Sequence, residues 1–291
     1  MYEFIRKHSQ HFPVQKQCVA LEISKSSYYD WLKGNTHLDT TIKAHMRQHI
    51  LETFTEHRSR YGSRRIVAAL RQKGITVGRE QVGRILQEES LRAIQPRSFV
   101  PRTTDSRHNY PISPNMLLEQ PSSDRPNEIW VGDITYIPLC VGRWAYLSVW
   151  LDLYSRKIVG WQLEDHMQEE LVIASMKKAL YNRSPPAGLI VHSDRGGQYG
   201  GKAFRRLVGN KRKQSMSRAD NPYDNAFMES CFSRFKAELL QGGMFESIED
   251  ANTEIFEYIE MYYNPIRLHS SLGYKSPVQF EMEYERKVVD L

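Results

Sequence analysis

The sequence predicts a mixed α/β domain that follows small all-α modules. Residues 14–94 carry apolar side chains at the three- and four-residue spacing of amphipathic helices. From residue 128 the pattern changes to short runs rich in Val, Ile, Trp and Tyr, which are typical of strands. A proline-rich stretch separates the two patterns. We therefore expect four regions, at residues 1–36, 37–94, 95–127 and 128–291.

Basic residues are concentrated in the N-terminal part of the chain. Residues 1–124 hold 19 Lys/Arg and 12 Asp/Glu, whereas residues 125–291 hold 21 and 22. This asymmetry indicates a polyanionic partner, although an ordinary solvated basic surface has the same composition. The sequence has no run of 18 apolar residues and no apolar signal-peptide stretch, so we expect a soluble protein without a membrane partner. The three widely spaced cysteines argue against a disulfide framework and against a cysteine-based zinc site.

The first region is predicted to contain a helix-turn-helix unit. Ser24 is placed to cap its second helix, residues 25–33. In such a unit the second helix enters the major groove of DNA. The candidate DNA contacts on this helix are Lys25, Ser26, Ser27 and Tyr29. Tyr28, Trp31 and Leu32 are available for packing, and a plain helical hairpin remains the alternative.

The second region and the linker behind it extend the predicted DNA-binding part. A long amphipathic helix over about residues 39–57 precedes a second helix-turn-helix candidate. Its last helix directs Arg79 and Arg84 away from the apolar face, where they can meet phosphates or guanine edges. The linker contains six prolines and the three arginines Arg97, Arg102 and Arg107. It either follows a DNA backbone or serves as an inert tether.

From residue 128 onward the order of predicted elements defines the fold class. Three strands joined by short turns form an antiparallel meander at 129–139, 143–153 and 155–163. A helix follows at about 171–180, then a strand at 189–193, a helix near 202–208, a weak strand at 213–217 and a long helix through Glu229. This β-β-β-α-β-α-β-α order is that of a ribonuclease-H-like domain, a mixed five-stranded sheet with flanking helices. A helical tail completes it.

Three carboxylates lie where a two-metal phosphoryl-transfer site needs them. Asp133 is in the middle of the first strand, Asp194 follows the fourth strand, and Glu229 lies on the long helix. Phosphodiester chemistry of this kind uses two divalent cations roughly 3.5–4 Å apart. Mg²⁺ takes hard oxygen ligands and keeps several waters, so three carboxylates suffice, with Asp133 bridging both ions. His192 shares a strand face with Asp194 and is a candidate contact to substrate DNA.

Single acids are abundant, so each carboxylate alone also fits a solvated or capping role. The competing acids are Asp152, Asp220 and Asp224. Asp224 or Asn225 can cap the helix of Glu229. On that helix Lys236 lies two turns beyond Glu229 on the same face, where it could hold the phosphate next to the cleaved bond. Spacing alone leaves the choice among the acids open.

Five stretches of the chain form a recognisable set. They are Trp130-Val131-Gly132-Asp133-Ile134-Thr135-Tyr136, His192-Ser193-Asp194-Arg195-Gly196-Gly197-Gln198-Tyr199, Ser215-Met216-Ser217-Arg218, Tyr223-Asp224-Asn225-Ala226-Phe227-Met228-Glu229-Ser230 and Tyr263-Asn264-Pro265-Ile266-Arg267-Leu268-His269-Ser270-Ser271-Leu272-Gly273-Tyr274. Together they resemble the insertion-sequence-three (IS-three) family of bacterial transposases, which is related to retroviral integrases. Asp194 and Glu229 are 35 positions apart, as in the D,D-35-E signature of the family. By this resemblance Asp133, Asp194 and Glu229 match the catalytic triad, Lys236 matches a basic position, and Asp152 matches a motif outside the triad.

The resemblance implies a transposase, a metal-dependent polynucleotidyl transferase. Water would attack the phosphodiester at the end of a mobile element, and the freed 3′-OH would attack another phosphodiester without a covalent protein intermediate. The implied cofactor is two Mg²⁺ ions, with Mn²⁺ as a substitute. The implied partners are the terminal inverted repeats of the element, target DNA and further copies of the chain on DNA. The implied location is the bacterial cytoplasm, at the nucleoid.

Members of the family are commonly made as a frameshift fusion, in which an upstream frame adds a helix-turn-helix and a leucine zipper. This chain has no heptad run, so the resemblance implies the downstream-frame, catalytic product, with the upstream-frame product as a partner. Two alternatives are a DNA-binding regulator and a partial transposase subunit that is inactive without that partner. A third is a ribonuclease-H-type nuclease without strand transfer.

Overall fold

A computed structural model describes residues 1–95, 110–119, 122–218, 226–241 and 243–289, and the side chains of all of these except 35–42 and 289. The contacts divide the chain into two units, Met1–Ala93 and Ile94–Leu291. Residues 96–109, 120 and 121 of the predicted linker, which include its three arginines, lie outside the described residues. Among the residues that are described, no helix has the length and apolar character needed to cross a bilayer.

The first unit consists of helices. They are α1 (Tyr2–His8), α2 (Val14–Ala20), α3 (Lys25–Leu32), α4 (Asn35–Glu56), α5 (Ser63–Gln72) and α6 (Arg79–Glu88). The first three share a small core of Ile5, Cys18 and Tyr28. Ser24 occupies the N-cap position of α3, but its side chain makes no capping hydrogen bond. Leu32 was expected to pack, yet it is 48% exposed because α3 ends there, at the margin of this small core.

Helices α4, α5 and α6 contact one another and form the second part of this unit. Ile50 and Phe54, four residues apart on α4, are buried as their spacing predicts. Val82, Ile85 and Leu86 are buried on α6, which leaves its remaining surface polar. On α6, Arg79 and Arg84 therefore lie on the face turned to solvent.

The second unit is built on a five-stranded sheet. Its strands are β1 (Ile129–Pro138), β2 (Trp144–Asp152), β3 (Ile158–Glu164), β4 (Ile190–Ser193) and β5 (Lys213–Met216). The order across the sheet is β3-β2-β1-β4-β5. β1, β2 and β3 pair antiparallel, whereas β4 runs parallel to both β1 and β5. The predicted mixed five-stranded sheet is thereby confirmed.

Helices cover both faces of the sheet. They are α7 (Glu169–Arg183), α8 (Gly197–Gly200), α9 (Lys202–Val208), α10 (Ala226–Leu240), α11 (Ile248–Phe256) and α12 (Pro277–Val289), with a π-helical segment at Glu257–Tyr263 and a 3₁₀ turn at Met116–Leu118. Because side chains alternate along a strand, Val131 of β1 packs in the core of α10 and α11, whereas Trp130 packs in the core of α7, α8 and α9. β1 is therefore central to both cores.

The start of the third strand differs from the prediction. The sequence suggested a strand from Ser155, but β3 begins at Ile158. The Asp152 carboxylate accepts hydrogen bonds from the backbone N–H groups of Tyr154 (2.9 Å) and Ser155 (3.3 Å), which closes a turn. Arg156 in this turn has a φ of 59°, outside the range of a strand. The Asp152 side chain thus accepts backbone N–H groups of this turn that would pair with a neighbouring strand if β3 began at Ser155.

Candidate active site

Two parallel strands bring together the first two carboxylates of the predicted triad. β1 and β4 pair in a register that sets Val131 beside His192. Asp133 and Asp194 each lie two residues beyond this last pair, and neighbouring strands lie about 4.8 Å apart. The two carboxylates thus meet at one edge of the sheet, where β4 ends.

Asp133 and Asp194 line the same pocket. Its walls are Asp133, Ile134, Met167, Asp194, Gly196, Gln198 and Tyr199. The Asp133 Oδ1 atom accepts the N–H of Ile134 at 2.8 Å, and the Asp194 Oδ1 atom accepts the N–H of Gly196 at 2.9 Å. Both acids are half-buried. Two negative charges held this close in a partly desolvated pocket attract a cation, because screening by water is reduced.

Two glycines leave the space that this arrangement requires. A Cβ at Gly132 would lie 2.3 Å from the Trp150 ring, so only glycine lets that ring pack against β1 next to Asp133. A Cβ at Gly196 would lie 2.8 Å from Gln198 Oε1 and 3.1 Å from Asp194 Oδ1. Both glycines are therefore explained by close packing at the pocket.

The pocket also contains residues to which the sequence assigned no role. Tyr199 is buried, and burial together with the nearby Asp194 and Asp133 carboxylates raises the pKa of its hydroxyl well above the usual range. Gln198 Nε2 donates to the Met167 backbone carbonyl at 3.0 Å and joins the Asp194 loop to the segment before α7. Gln198 and Tyr199 could have been suspected from their place in the glycine loop after Asp194. Met167 carried no such signal.

Glu229 is not gathered with the two aspartates in this structure. It lies in the first turn of α10, its side chain is exposed, and it does not line the pocket. In the described part of the chain, the one close group of three metal-ligating side chains is Glu164, Asp165 and His166. The competing acids Asp220 and Asp224, and the capping candidate Asn225, lie outside the described residues.

Lys236 lies near enough to Asp133 for their charges to interact. Burial lowers the pKa of its half-buried ammonium group, and the Asp133 carboxylate opposes part of this shift. Such an influence requires that the two charges be near each other. α10 packs its buried residues Met228 and Phe232 into the core that also contains Val131. Asp133 shares that face of β1, so the lysine reaches the pocket from the α10 side.

The predicted DNA contact at His192 is wrong. This ring is 0% exposed, and its Nδ1 atom is 2.9 Å from the Ser215 hydroxyl. The backbone N–H of Met116 donates to the same hydroxyl at 2.9 Å, so the Met116–Leu118 turn covers this part of the sheet. The strand face was assigned correctly, but it is covered by protein and offers DNA no surface.

Asp152 has a structural environment. It is fully buried and accepts hydrogen bonds from the Asn127 N–H at 2.7 Å and the Trp130 indole at 3.3 Å, besides closing the turn before β3. Burial raises the pKa of this carboxyl, and the Asn127 N–H opposes that shift. Its side chain is thus used within the protein, away from the pocket.

The remaining predicted DNA contacts lie in the first unit. Lys25, Ser26 and Tyr29 on α3 are exposed, and Ser27 is half-buried. Arg79 and Arg84 on α6 are both exposed. All six side chains except Ser27 are thus open to a partner, and their contact with DNA stays a prediction.

The chain is similar to known proteins over almost its full length. Residues 123–222 and 210–277 match family models described as "Integrase core domain", and residues 42–99 match an "HTH-like domain". It is 37% identical over 285 residues to the transposase InsF for insertion sequence IS3A of Escherichia coli (strain K12), covering 96% of this chain and 98% of that relative. It is 38% identical over 270 residues to the insertion element IS600 uncharacterized 31 kDa protein of Shigella sonnei, covering 92% and 98%.

Solved structures also align with about half of the chain. The HTLV-2 integrase catalytic core domain in complex with magnesium is 17% identical, with a TM-score of 0.42, and covers 55% of this chain and 99% of that chain. The catalytic core domain of BIV integrase has the same identity and TM-score, and the alignment covers 56% and 99%.

Proposed function

Because the chain belongs to the insertion-sequence-three (IS3) family of transposases, we propose that Asp133, Asp194 and Glu229 form the metal-binding catalytic triad of a DNA strand transferase. The reaction is cleavage at the ends of a mobile DNA element and transfer of the freed 3′-OH to another phosphodiester. The observation that carries this proposal is that Asp133 and Asp194, each two residues beyond the last pair of β1 and β4, line one pocket.

The residues of the pocket fit a hard divalent cation. The ligands are carboxylate oxygens, which suit Mg²⁺ and Mn²⁺, and no cysteine lines the pocket to favour a softer metal. Asp133, Asp194 and Glu229 would hold the ions, which would supply activation of the attacking oxygen and stabilisation of the leaving oxygen. The chain itself fixes the two aspartates through the N–H groups of Ile134 and Gly196.

Glu229 is proposed to complete the site from the α10 side. The next buried residues of α10, Phe232 and Phe235, pack on the face of β1 to which Asp133 belongs. Glu229 therefore projects from the first turn of a helix that is anchored over the correct face. We propose that metal and DNA draw this turn toward the aspartates, because the combined negative charge there is balanced only by cations.

The proposed substrates are the terminal inverted repeats of the element and target DNA. Lys236 beside the pocket would hold a phosphate of the reacting strand, and the exposed residues of α3 and α6 would contact the element end. Action on paired ends implies several copies of the chain on DNA, and the upstream-frame product is a further proposed partner. The protein would work at the bacterial nucleoid, where its substrate is.

Strand joining tests the triad. Purified protein is given Mg²⁺ and a labelled duplex that carries its own element end, and joined products are separated on a gel. Asp133→Asn, Asp194→Asn and Glu229→Gln are each expected to lower joining by about 10³-fold or more while leaving DNA binding intact, because each removes a metal ligand. Asp165→Asn is the matched control, since Asp165 is an exposed acid of the neighbouring Glu164–His166 group.

Near-normal joining by any of the three variants would remove that residue from the triad. Loss of joining in Asp165→Asn alone would move the metal site to the Glu164–His166 group. If the wild-type protein binds the end but joins nothing, the upstream-frame product is added. If strand joining then appears, the chain is a partial transposase subunit. If joining is still absent, a DNA-binding regulator is favoured.

A further inference from the structure

A strongly basic stretch lies within the second unit although that part of the chain is nearly neutral overall. Residues 125–291 hold 21 Lys/Arg and 22 Asp/Glu, but residues 195–218 hold eight Lys/Arg and no acid at all. Chance would intersperse acids through such a segment, since the two signs are equally common around it. The local charge is therefore the feature to explain.

Helix α9 places three of these cations on one exposed face. Lys202, Arg205 and Arg206 are exposed, and their i, i+3, i+4 spacing sets them on one face. Phe204 and Val208 are buried and fasten the opposite face of the helix to the sheet. The three cations thus form an ordered row on a packed helix.

The charge continues from α9 into the turn before β5, the last strand of the sheet, where Lys211 is exposed. The guanidinium of Arg212 is turned inward and donates to the backbone carbonyls of Leu207 (3.3 Å) and Val208 (3.2 Å) at the C-terminal end of α9. Lys213 is exposed as well, but strand alternation sets it on the face opposite α9, because Met216 packs with Phe204. We call the surface formed by Lys202, Arg205, Arg206 and Lys211 the α9 surface.

The α9 surface is not neutralised by the protein. Within the described residues, none of its four cations makes an ion pair, whereas cations elsewhere in this unit, such as Arg183 and Arg267, are paired with buried glutamates. Four unneutralised cations on one surface repel each other and attract a polyanion. Phosphate groups repeated along a duplex are the polyanion that matches a row of charges.

The surface also begins at the rim of the pocket. Gln198 and Tyr199 line the pocket, and Lys202 follows three residues later. A DNA strand whose phosphodiester lies at Asp194 can therefore continue along α9 and remain in contact with the protein. We propose that the α9 surface binds the phosphate backbone of duplex DNA that leads away from the pocket. This inference rests on the proposed function only for the identity of that DNA, which is either the element end or the target.

The salt dependence of DNA binding tests the inference. Binding of the full-length protein is measured without Mg²⁺, so that no chemistry is required, over a range of salt concentrations. The triple variant Lys202→Gln, Arg205→Gln, Arg206→Gln is compared with Lys177→Gln, Arg286→Gln, Lys287→Gln, which removes the same charge from exposed positions elsewhere in the unit. Each lost phosphate contact reduces the slope of log K against log salt by about 0.9. The slope measured for the α9 variant is expected to be shallower than that of the wild type by about 2 to 3, and the slope for the control variant is expected to be unchanged.

Two duplexes of equal length, one with the element end and one unrelated, identify the DNA. A change confined to the unrelated duplex assigns the surface to target DNA, and a change confined to the end assigns it to the element. Equal slopes for the α9 variant and the wild type with both duplexes would overturn the inference. If the triple variant unfolds, Arg205→Gln with Lys211→Gln replaces it, with an expected change in slope of about 1 to 2. Failed strand joining with a changed slope would count against the proposed function alone.

Discussion

Lys236 shows how one residue can serve the site without being a metal ligand. Its ammonium group is half-buried near Asp133, and burial lowers its pKa while the carboxylate opposes that shift. The charged form is therefore held at some cost, in a position where a DNA phosphate would stabilise it further. A residue of this kind contributes more to binding a polyanion than to folding.

Lys236→Ala is expected to weaken binding to the element end and to leave thermal stability nearly unchanged. The loss of one phosphate contact should reduce the salt slope by about 1. Lys177→Ala, which removes an exposed lysine from α7, is the control and should change neither quantity. Equal affinity of Lys236→Ala and wild type for the end, across the salt range, would remove the phosphate-binding role.

Residue spacing indicated which side chains share a face but could not show which faces are covered. Local strand alternation was enough to place Asp133 and Asp194 on or next to strands, and in the structure both line one pocket. His192 was misplaced because the Met116–Leu118 turn, far upstream in the sequence, packs over its part of the sheet. No local pattern predicts such a long-range cover.

At the scale of elements, the position of α10 decides where Glu229 can reach. Near its C-terminal end α10 buries Glu238, whose carboxylate accepts Arg267 Nε at 2.8 Å, Arg267 Nη2 at 2.6 Å and the Tyr258 hydroxyl at 2.9 Å. Arg267 is 1% exposed. This buried pair ties the helix of Glu229 to the segment after the π-helix. The sequence showed both residues but not that they meet, because they are 29 positions apart.

Breaking this pair on one side should destabilise the protein strongly. Arg267→Met leaves the Glu238 charge buried without its partner and is expected to lower the free energy of unfolding by about 3–5 kcal/mol. The double variant Glu238→Leu, Arg267→Met should lose less than the sum of the two single variants. Chemical denaturation measures all three. Lys275→Met, which removes one side of the exposed Lys275–Glu283 pair, is the control and should cost under about 1 kcal/mol. Additive single effects would show that the ion pair is not what anchors α10.

At the scale of the whole molecule, the C-terminal region packs as an integral part of the second unit. The sequence suggested only a helical tail there. In the structure the Asn264 side chain accepts the Ile158 N–H and donates to the Ile158 carbonyl, both at 3.0 Å, and so pairs with the start of β3 as a strand would. Strand alternation predicted the sheet well, but polar contacts that join residues 106 positions apart leave no periodic signal.

Glu281 of α12 forms a second set of long-range polar contacts. Its carboxylate accepts Ser155 Oγ at 2.8 Å, Lys157 Nζ at 2.9 Å and Arg183 Nη2 at 2.8 Å, so one side chain joins α12 to the turn before β3 and to α7. Burial alone would raise the pKa of this carboxyl, but Arg183 and Lys157 outweigh it and hold the pKa below its usual value. The charged form is thus preferred in the folded protein.

The ion pairs of Glu281 should make the stability of the second unit sensitive to acid. A carboxyl whose pKa is lower in the folded state stabilises the fold at pH values above its unfolded pKa, about 4.3, and loses this contribution as the pH falls through the folded pKa. Glu281→Gln should therefore be less stable than wild type at pH 7, and the difference in the free energy of unfolding should shrink below about pH 4.3. Denaturation at a series of pH values measures it, with Glu283→Gln as an exposed control on the same helix. A difference that stays constant from neutral pH to acid would show that Glu281 acts through its shape and hydrogen bonds, and not through its charge.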